Sequence, residues 1–548
     1  MKKSIVAKVI EDAANSLGIR DLPPVEIEIP RNEQFGDLSA TTAMTLAAVL
    51  RKPPRKIAEE LVSAIRDIAL FEKIEVAGPG FINFTFSKDY LVSEVMQLLR
   101  RGKKFLREDL GKGKKIQIEF VSANPTGPLH LGHGRGGATG EALANLLTAA
   151  GYRVEREYYV NDAGRQVRLL GLSVFARYQQ LLGAEYPFPE EGYKGAYIED
   201  IAREIIGEHG KAYLQTGFDS AADVFTEYAY RKILRSIQED LKAFGISFDT
   251  WQSERELFAE GAVQNSIEEL NGKGFLYEQD GAVWFRATAF GDEKDRVIIK
   301  QDGEYTYFTS DIAYHRRKLE RGFDELIDIW GADHHGYIPR IHAVVEALGH
   351  SHEKLKVLLV QMVNLLRGGK PVQMSKRAGE FVTLREVIDE VGPDITKFIF
   401  LTRRPDSQLE FDLETARAKS AENPVFYVQY AHARINSVFI HARDQGISVE
   451  NLQEARLELL SQPEELRIMK KLLLYPVVFE GAVLAHEPHR ITFYIQELAG
   501  IFHPYYTRHR IVTEDLVLSA ARLALCDAVR IVLHEGLEIL GVKAPDKM

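Results

Sequence analysis

Apolar and polar positions change period several times along the chain, and each change marks an element. Val25, Ile27 and Ile29 alternate with polar neighbours as in a strand, residues 39–50 read as a helix, and 57–68 as a second helix behind the breaker Pro53-Pro54. Ile82, Phe84 and Phe86 alternate again. Residues 1–110 therefore predict a small α+β domain, and the basic, glycine-bearing GKGKK at 111–115 a linker.

The next stretch changes character. A strand at 116–121 leads through a glycine- and proline-rich turn into a helix with Ala138, Ala142, Leu143, Leu146 and Leu147 on one face. Gly151 ends that helix, and 153–160 is a second strand. Strand, helix, strand in so short a span predicts a right-handed βαβ crossover. Residues near 166–280 are mostly helical and acidic and read as an insertion. Strand signals return at 283–285, 297–300, 326–330 and 358–362, so the sheet has two halves. Thr383 and Glu386 form a capping box for a helix at 384–391 that Gly392 ends. Beyond about 405 strand signals vanish, Asn423-Pro424 opens a long helix, and amphipathic segments run to Gly541. The expected fold is a multidomain α/β protein: a Rossmann-like, doubly wound parallel sheet at 111–404 split by an insertion, an N-terminal α+β domain at 1–110, and a C-terminal α-helical bundle at 405–548.

Composition narrows the class. With 548 residues, 45% hydrophobic and 27% charged, the chain is a globular protein of several domains. Glu11 and Asp12 interrupt what would be a secretory leader and no stretch is apolar enough to span a bilayer, so a cytoplasmic protein without a membrane partner is expected. The lone Cys526 sits in the apolar run LALCDAVRIVL as a core thiol, which excludes disulfides and cysteine-ligated zinc. A net charge of -10 argues against a protein that coats nucleic acid non-specifically and leaves a specific RNA partner open; no DNA partner is expected. Short basic stretches, among them HRRK at 315–318 and RHR at 508–510, are ordinarily solvated faces.

The candidate chemistry begins with His130-Leu131-Gly132-His133, at the turn from the first strand of the crossover into its helix. There, backbone amides and the positive end of the helix dipole face outward and suit a polyphosphate, to which two imidazoles can also donate. Zinc is a competing reading, but further ligands at sensible spacing are missing. Simple capping of the helix is another. A second element, Gln373-Met374-Ser375-Lys376-Arg377-Ala378-Gly379, lies between the Gly368-Gly369 turn and the capped helix, and carries a lysine that could meet charge developing on a phosphate.

HLGH and MSKR resemble the two signatures of class I aminoacyl-tRNA synthetases, with Gln373 where the family has its first signature lysine and Lys376 at the catalytic one. EFVSANPTGPLHLGHGRGG, YVNDAGRQ, DEKDRVIIKQDGEYTYFTSDIAYH, GADHHGY and NPVFYVQYAHARI are similar to the arginyl branch. The resemblance covers essentially the whole chain. It implies that Glu119, Asn124 and His130 approach the amino and carboxylate groups of arginine, and that Tyr307 and Asp311 meet its guanidinium. It implies that Gly132, His133, Met374 and Lys376 handle ATP, that Gly331 and Asp333 face its ribose or the adenylate, and that His334 lines the same pocket. His130, His133 and Lys376 would be catalytic. A guanidinium pocket has to contain acids, which agrees with Glu119 and Asp311. The bundle becomes an anticodon-binding domain, with Tyr430, Arg434, His441, Tyr505, Tyr506 and Arg508 as its RNA-facing residues; aromatics beside arginines suit splayed bases. The implied substrates are L-arginine, ATP with Mg2+ as its counter-ion, and tRNA(Arg), with no structural metal and a monomeric enzyme. Activation would require bound tRNA, and the arginyl group would pass to the 2′-hydroxyl of the terminal adenosine. Two rival classes stay in view: a small-molecule nucleotidyltransferase, which has no use for the bundle, and a non-enzymatic RNA-binding paralogue, which has no use for HLGH and Lys376 together.

Overall fold

The computed structural model describes residues 2–20, 22–30, 32–66, 69–372, 382–420 and 422–548, without the side chains of 2–4 and 33. The chain divides into two compact units, residues 1–110 with 424–539 and 543–548, and residues 111–423 with 540–542.

The second unit is built on a five-stranded parallel sheet: β1 (Lys115–Glu119), β2 (Arg153–Val160), β3 (Thr250–Ser253), β4 (Glu325–Gly331) and β5 (Leu355–Val360). The strands lie in the order β5-β4-β1-β2-β3 and every pairing is parallel. This is a doubly wound sheet, and the winding reverses between β1 and β4; in open sheets of this kind ligands bind in the crevice beyond the carboxyl ends of the strands at that point. Four of the five residues of β1 are buried, as expected of a central strand covered on both faces. Helix α1 (Leu131–Ala149) packs closely on the sheet because its inward positions are small. A Cβ at Gly140 would lie 2.3 Å from the Phe120 ring, and one at Gly134 2.5 Å from Leu384. Helix α2 (Tyr307–Glu320) precedes β4 and covers the sheet with its buried stripe.

Several expectations need correction. The third strand of the sheet, β3, lies inside the stretch read as an insertion, behind the long helices Arg165–Leu181, Ala196–His209 and Phe218–Ala243. Residues 283–285 and 297–300 do form strand, but in a separate antiparallel sheet of Leu276–Gln279, Ala282–Phe285 and Arg296–Ile299. Strand does not stop at 405, since Leu409–Asp412 pairs in parallel with Val363–Arg367.

In the first unit a four-stranded antiparallel sheet joins Ile27–Glu28, Leu38–Ala40, Phe81–Phe86 and Phe71–Ala77. The helix expected at 39–50 begins at Thr42, because Ser39 pairs with Asn83 and donates its hydroxyl to the Asn83 side chain at 2.8 Å. The next helix is Pro54–Ala64, with proline at its first position; the expected end at 68 lies outside the described residues. The bundle comprises Pro424–Asp444, Pro463–Ala485, His489–Arg508 and Leu516–Ile539. Within this unit Arg107 makes a two-pronged ion pair, 2.7 and 2.9 Å, with the buried Glu535. Cys526 is buried and free. Among the described residues no helix is long and apolar enough to cross a membrane.

Candidate active site

His130 and His133 sit at the amino end of α1, directly beyond β1. Nδ1 of His130 accepts the amides of Gly132 (3.1 Å) and His133 (3.4 Å), while Nδ1 of His133 accepts the amide of His130 at 3.3 Å. A ring nitrogen that accepts carries no proton, so each neutral imidazole holds its proton on Nε2. The rings stack with centroids 3.6 Å apart. Burial, and then the neighbouring His130, push His133 down to about 3, so it stays neutral at physiological pH. A Cβ at Gly132 would meet the folded-back His130 ring at 2.9 Å, which accounts for glycine there. The capping reading and the phosphate reading are therefore compatible: Nδ1 caps the helix, and the ring proton sits on the other nitrogen.

The acidic side of the site is assembled by α2. Tyr307 and Asp311 are one turn apart at its amino end, Tyr307 57% exposed and Asp311 half-buried. The Tyr337 hydroxyl donates to Asp311 Oδ2. Burial raises the Asp311 carboxyl above the ordinary range, while Tyr337, His315, Arg340 and Lys318 pull it back. Deeper on the same stripe, the buried Lys318 ammonium bridges Glu119 Oε2 and Asp328 Oδ1, the latter at 2.7 Å. Ser122 donates to the other Glu119 oxygen at 2.8 Å. His315 joins Asp328 Oδ2 (3.1 Å) to the backbone carbonyl of Asp311 (2.8 Å). Burial pulls the Lys318 ammonium down, but Asp328 and then Glu119 more than offset it and hold the proton on.

Sequence reasoning missed Lys318 and His315 as parts of the site, because HRRK reads as a solvated basic run. It also missed Glu254 and Tyr159. Glu254 is 4% exposed and Tyr159 8%, and Glu254 Oε2 and the Tyr159 hydroxyl have no hydrogen-bond partner among the described residues. Burial raises both groups, with Asp311 and Asp162 among the charges that add to the rise. The signal available for Tyr159 was its place in the YVNDAGRQ stretch; Glu254, after Ser253, reads as an ordinary helix-start acid.

The exits of β1 and β4 supply the rest. Asn124 is exposed and donates to Gln166 at 2.9 Å. Gly331 ends β4, and Asp333 and His334 follow with side chains 81% and 63% exposed. Gln373 to Gly379, with Met374 and Lys376, lies outside the described residues. The chain that follows returns to the HLGH turn: Thr383 bridges His130, and the Leu384 amide donates to Leu129 O at 2.8 Å. The Thr383/Glu386 capping box is present.

In the bundle, Arg434 lies between two rings, 4.4 Å from the centroid of Tyr430 and 4.6 Å from that of Tyr506. It also donates to the Tyr430 hydroxyl at 2.9 Å and to His503 Nδ1 at 3.2 Å. His441 and Arg508 are exposed, and Arg508 pairs with Glu464 at 3.0 Å. Tyr505 is a correction: its side chain is fully buried in the bundle core, where a base cannot reach it.

A doubly wound sheet with HLGH at its switch point, acids gathered beside it and a helical bundle following in the chain are the features of the class I aminoacyl-tRNA synthetases. The model for the class I (R) tRNA synthetase catalytic domain matches residues 94–438. Those for the arginyl tRNA synthetase N terminal domain and the DALR anticodon binding domain match residues 3–86 and 428–548. The chain is 50% identical to the arginine–tRNA ligase of Citrifermentans bemidjiense over 100% of its length and 99% of the relative's. It is 49% identical to that of Geobacter sp. (strain M21), with the same shares covered. The Thermus thermophilus arginyl-tRNA synthetase structure superposes with a TM-score of 0.79 at 21% identity, covering 100% of both chains. The chain belongs to the arginyl-tRNA synthetase family. It is a ligase that activates arginine and charges tRNA with it.

Proposed function

We propose that the crevice between β1 and β4 holds the arginyl-adenylate, with its phosphate end at the HLGH turn and its guanidinium end among the acids of α2. His130 and His133, through Nε2, and Lys376 stabilise charge on the ATP α-phosphate as the arginine carboxylate attacks it, and Gly132, without a side chain, lets the nucleotide come close to the turn. Pyrophosphate leaves, and the terminal adenosine of tRNA(Arg) then takes the arginyl group on its 2′-hydroxyl. Catalysis is alignment and charge stabilisation, with no covalent enzyme intermediate. Met374 belongs to the ATP-binding set, while Gly331 and Asp333, with His334 beside them, face the ribose. Glu119 and Asn124 hold the amino end of arginine. Tyr307 and Asp311, backed by Glu254 and the Tyr159 hydroxyl, take the guanidinium fork. Magnesium comes as the counter-ion of ATP; among the described residues no group of three or more His, Cys, Asp or Glu could hold a metal ion.

Residues 1–110 touch the outer corner of the tRNA, 111–404 carry the chemistry, and the bundle reads the anticodon through Tyr430, Arg434, His441, Tyr506 and Arg508. Arg434 held between two tyrosine rings supports this, as a preformed stack that a base can extend. The enzyme acts as a cytoplasmic monomer that requires tRNA before it activates arginine.

The observation that carries the reading is the pairing of HLGH with buried acids beside Asp311 at one sheet edge. Exchange kinetics with arginine, citrulline and canavanine test it. Citrulline, neutral but of similar shape, leaves the acids unpaired and should be a very poor substrate, while canavanine keeps a guanidino fork and should compete. Efficient citrulline activation would refute the acid pocket.

A further inference from the structure

A second concavity, which none of the steps above uses, opens at the exits of β2 and β3. Its volume is about 380 Å3, and Asp162, Val167, Arg168, Arg255 and Phe258 are among its lining residues. The floor is settled: buried Asp162 accepts the hydroxyls of Tyr230 (3.0 Å) and Ser253 (2.7 Å) and the Arg255 amide (3.0 Å). The rim is not. Phe258 on the helix Glu254–Ala259 and Tyr305 just before α2 stand side by side, 38% and 39% exposed, with ring centroids 6.1 Å apart. The Tyr305 hydroxyl, 3.3 Å from Gln264 Oε1, holds its ring in place.

Two exposed rings brought together from separate elements contribute little to a core. Flat apolar faces beside arginines are instead what unpaired bases stack on. Arg168 reaches the cavity with 58% of its side chain exposed, and its partner Asp219 is 90% exposed, so a phosphate can displace that pair at little cost. Tyr305 is two residues from Tyr307 at the mouth of the arginine pocket, and Asp162 borders both the cavity and Glu254. ATP brings a single base, which the reading above assigns to the HLGH side of the site; the substrate that brings several unpaired bases, and whose end has to reach the adenylate, is tRNA at its 3′ end. We propose that Phe258 and Tyr305 form a stacking platform for the unpaired CCA end, with Arg168 and Arg255 beside its phosphates, so that the last ribose is delivered to the adenylate. The proposal rests on the arginine pocket lying at Tyr307 and Asp311.

Because both rings are exposed, a Phe258→Ala, Tyr305→Ala double variant of the full-length enzyme should fold. Its affinity for tRNA(Arg), and for the same tRNA with the CCA removed, is to be compared with wild type. Wild type should prefer the intact tRNA by about fivefold to a hundredfold, the range for stacked bases. The variant should bind both at the affinity of the trimmed tRNA, and Phe258→Trp with Tyr305 intact should keep the preference. Arginine KM at saturating tRNA should be unchanged in the double variant. A double variant that still prefers intact tRNA as strongly as wild type, or a wild type without the preference, overturns the platform. Failure of the arginine pocket would show separately, as an unaltered arginine KM in Asp311→Asn.

Discussion

His130 and His133 lie ring on ring, 18° from parallel, and each accepts a backbone amide of the helix turn that they open. The cap is thus made by Nδ1, and the nitrogen proposed to meet phosphate is the other one of the same ring.

Substitutions at His133 can separate those roles. Asparagine places an acceptor near the position of Nδ1 but has nothing at Nε2. His133→Asn should therefore keep thermal stability within about 1 kcal/mol of wild type and lower adenylate formation by about 10²–10³, the loss typical of one transition-state donor. His133→Ala should lose both. Equal exchange rates in His133→Asn and wild type would confine this residue to capping.

Asp311 has a raised carboxyl, so its charge is lost as pH falls through that raised value, and arginine binding should weaken on the acid side. A folded-state rise also means that the native enzyme binds the proton more tightly than the unfolded chain, so the ionised group costs stability at neutral pH. Asp311→Asn should then weaken arginine binding by about 2–5 kcal/mol and flatten its acid dependence, without lowering the melting temperature of the free enzyme at neutral pH. Arginine KM and melting temperature from pH 5 to 8 check both signs. An unchanged KM would make the carboxylate structural only.

Lys318 is shared by Glu119 and Asp328, all three buried. Lys318→Met leaves Glu119 without its ammonium and Asp328 with His315 alone, and should cost about 3–5 kcal/mol in urea unfolding. Lys318→Met combined with Asp328→Leu should recover part of that loss, since it removes a charge together with its partner. A fully stable single variant would mean that the network carries no load.

Lys376→Ala should lower activation by about two to three orders of magnitude with arginine affinity nearly unchanged, as expected for a cation that acts only on the transition state. Near wild-type exchange would remove the MSKR segment from the mechanism.

Much of this site was legible because phosphate chemistry is local in sequence. HLGH needs a strand exit and a helix start, and the period change around residue 130 gives both. The α2 stripe was half legible: Tyr307 and Asp311 are one turn apart and point to a shared face, but no pattern shows that His315 and Lys318 turn inward. Lys318 is buried by tertiary partners 199 and 10 residues away. The misplaced strands have a similar cause. Alternation announces a strand but not its partner, so 283–285 and 297–300 could be read as halves of the parallel sheet when they pair with one another. β3 was hidden because four residues, TWQS, between long helices give too short a signal. Tyr505 was misread because adjacent tyrosines on a helix face different ways; Tyr506 meets Arg434 while Tyr505 fills the core.

Arginine activation at the carboxyl ends of β1 and β4 is read out by ATP–pyrophosphate exchange with each amino acid in turn, with and without tRNA(Arg). Exchange is expected with arginine alone among the standard amino acids, and only when tRNA is present. Exchange driven by another amino acid, or none with arginine and tRNA together, would contradict this assignment.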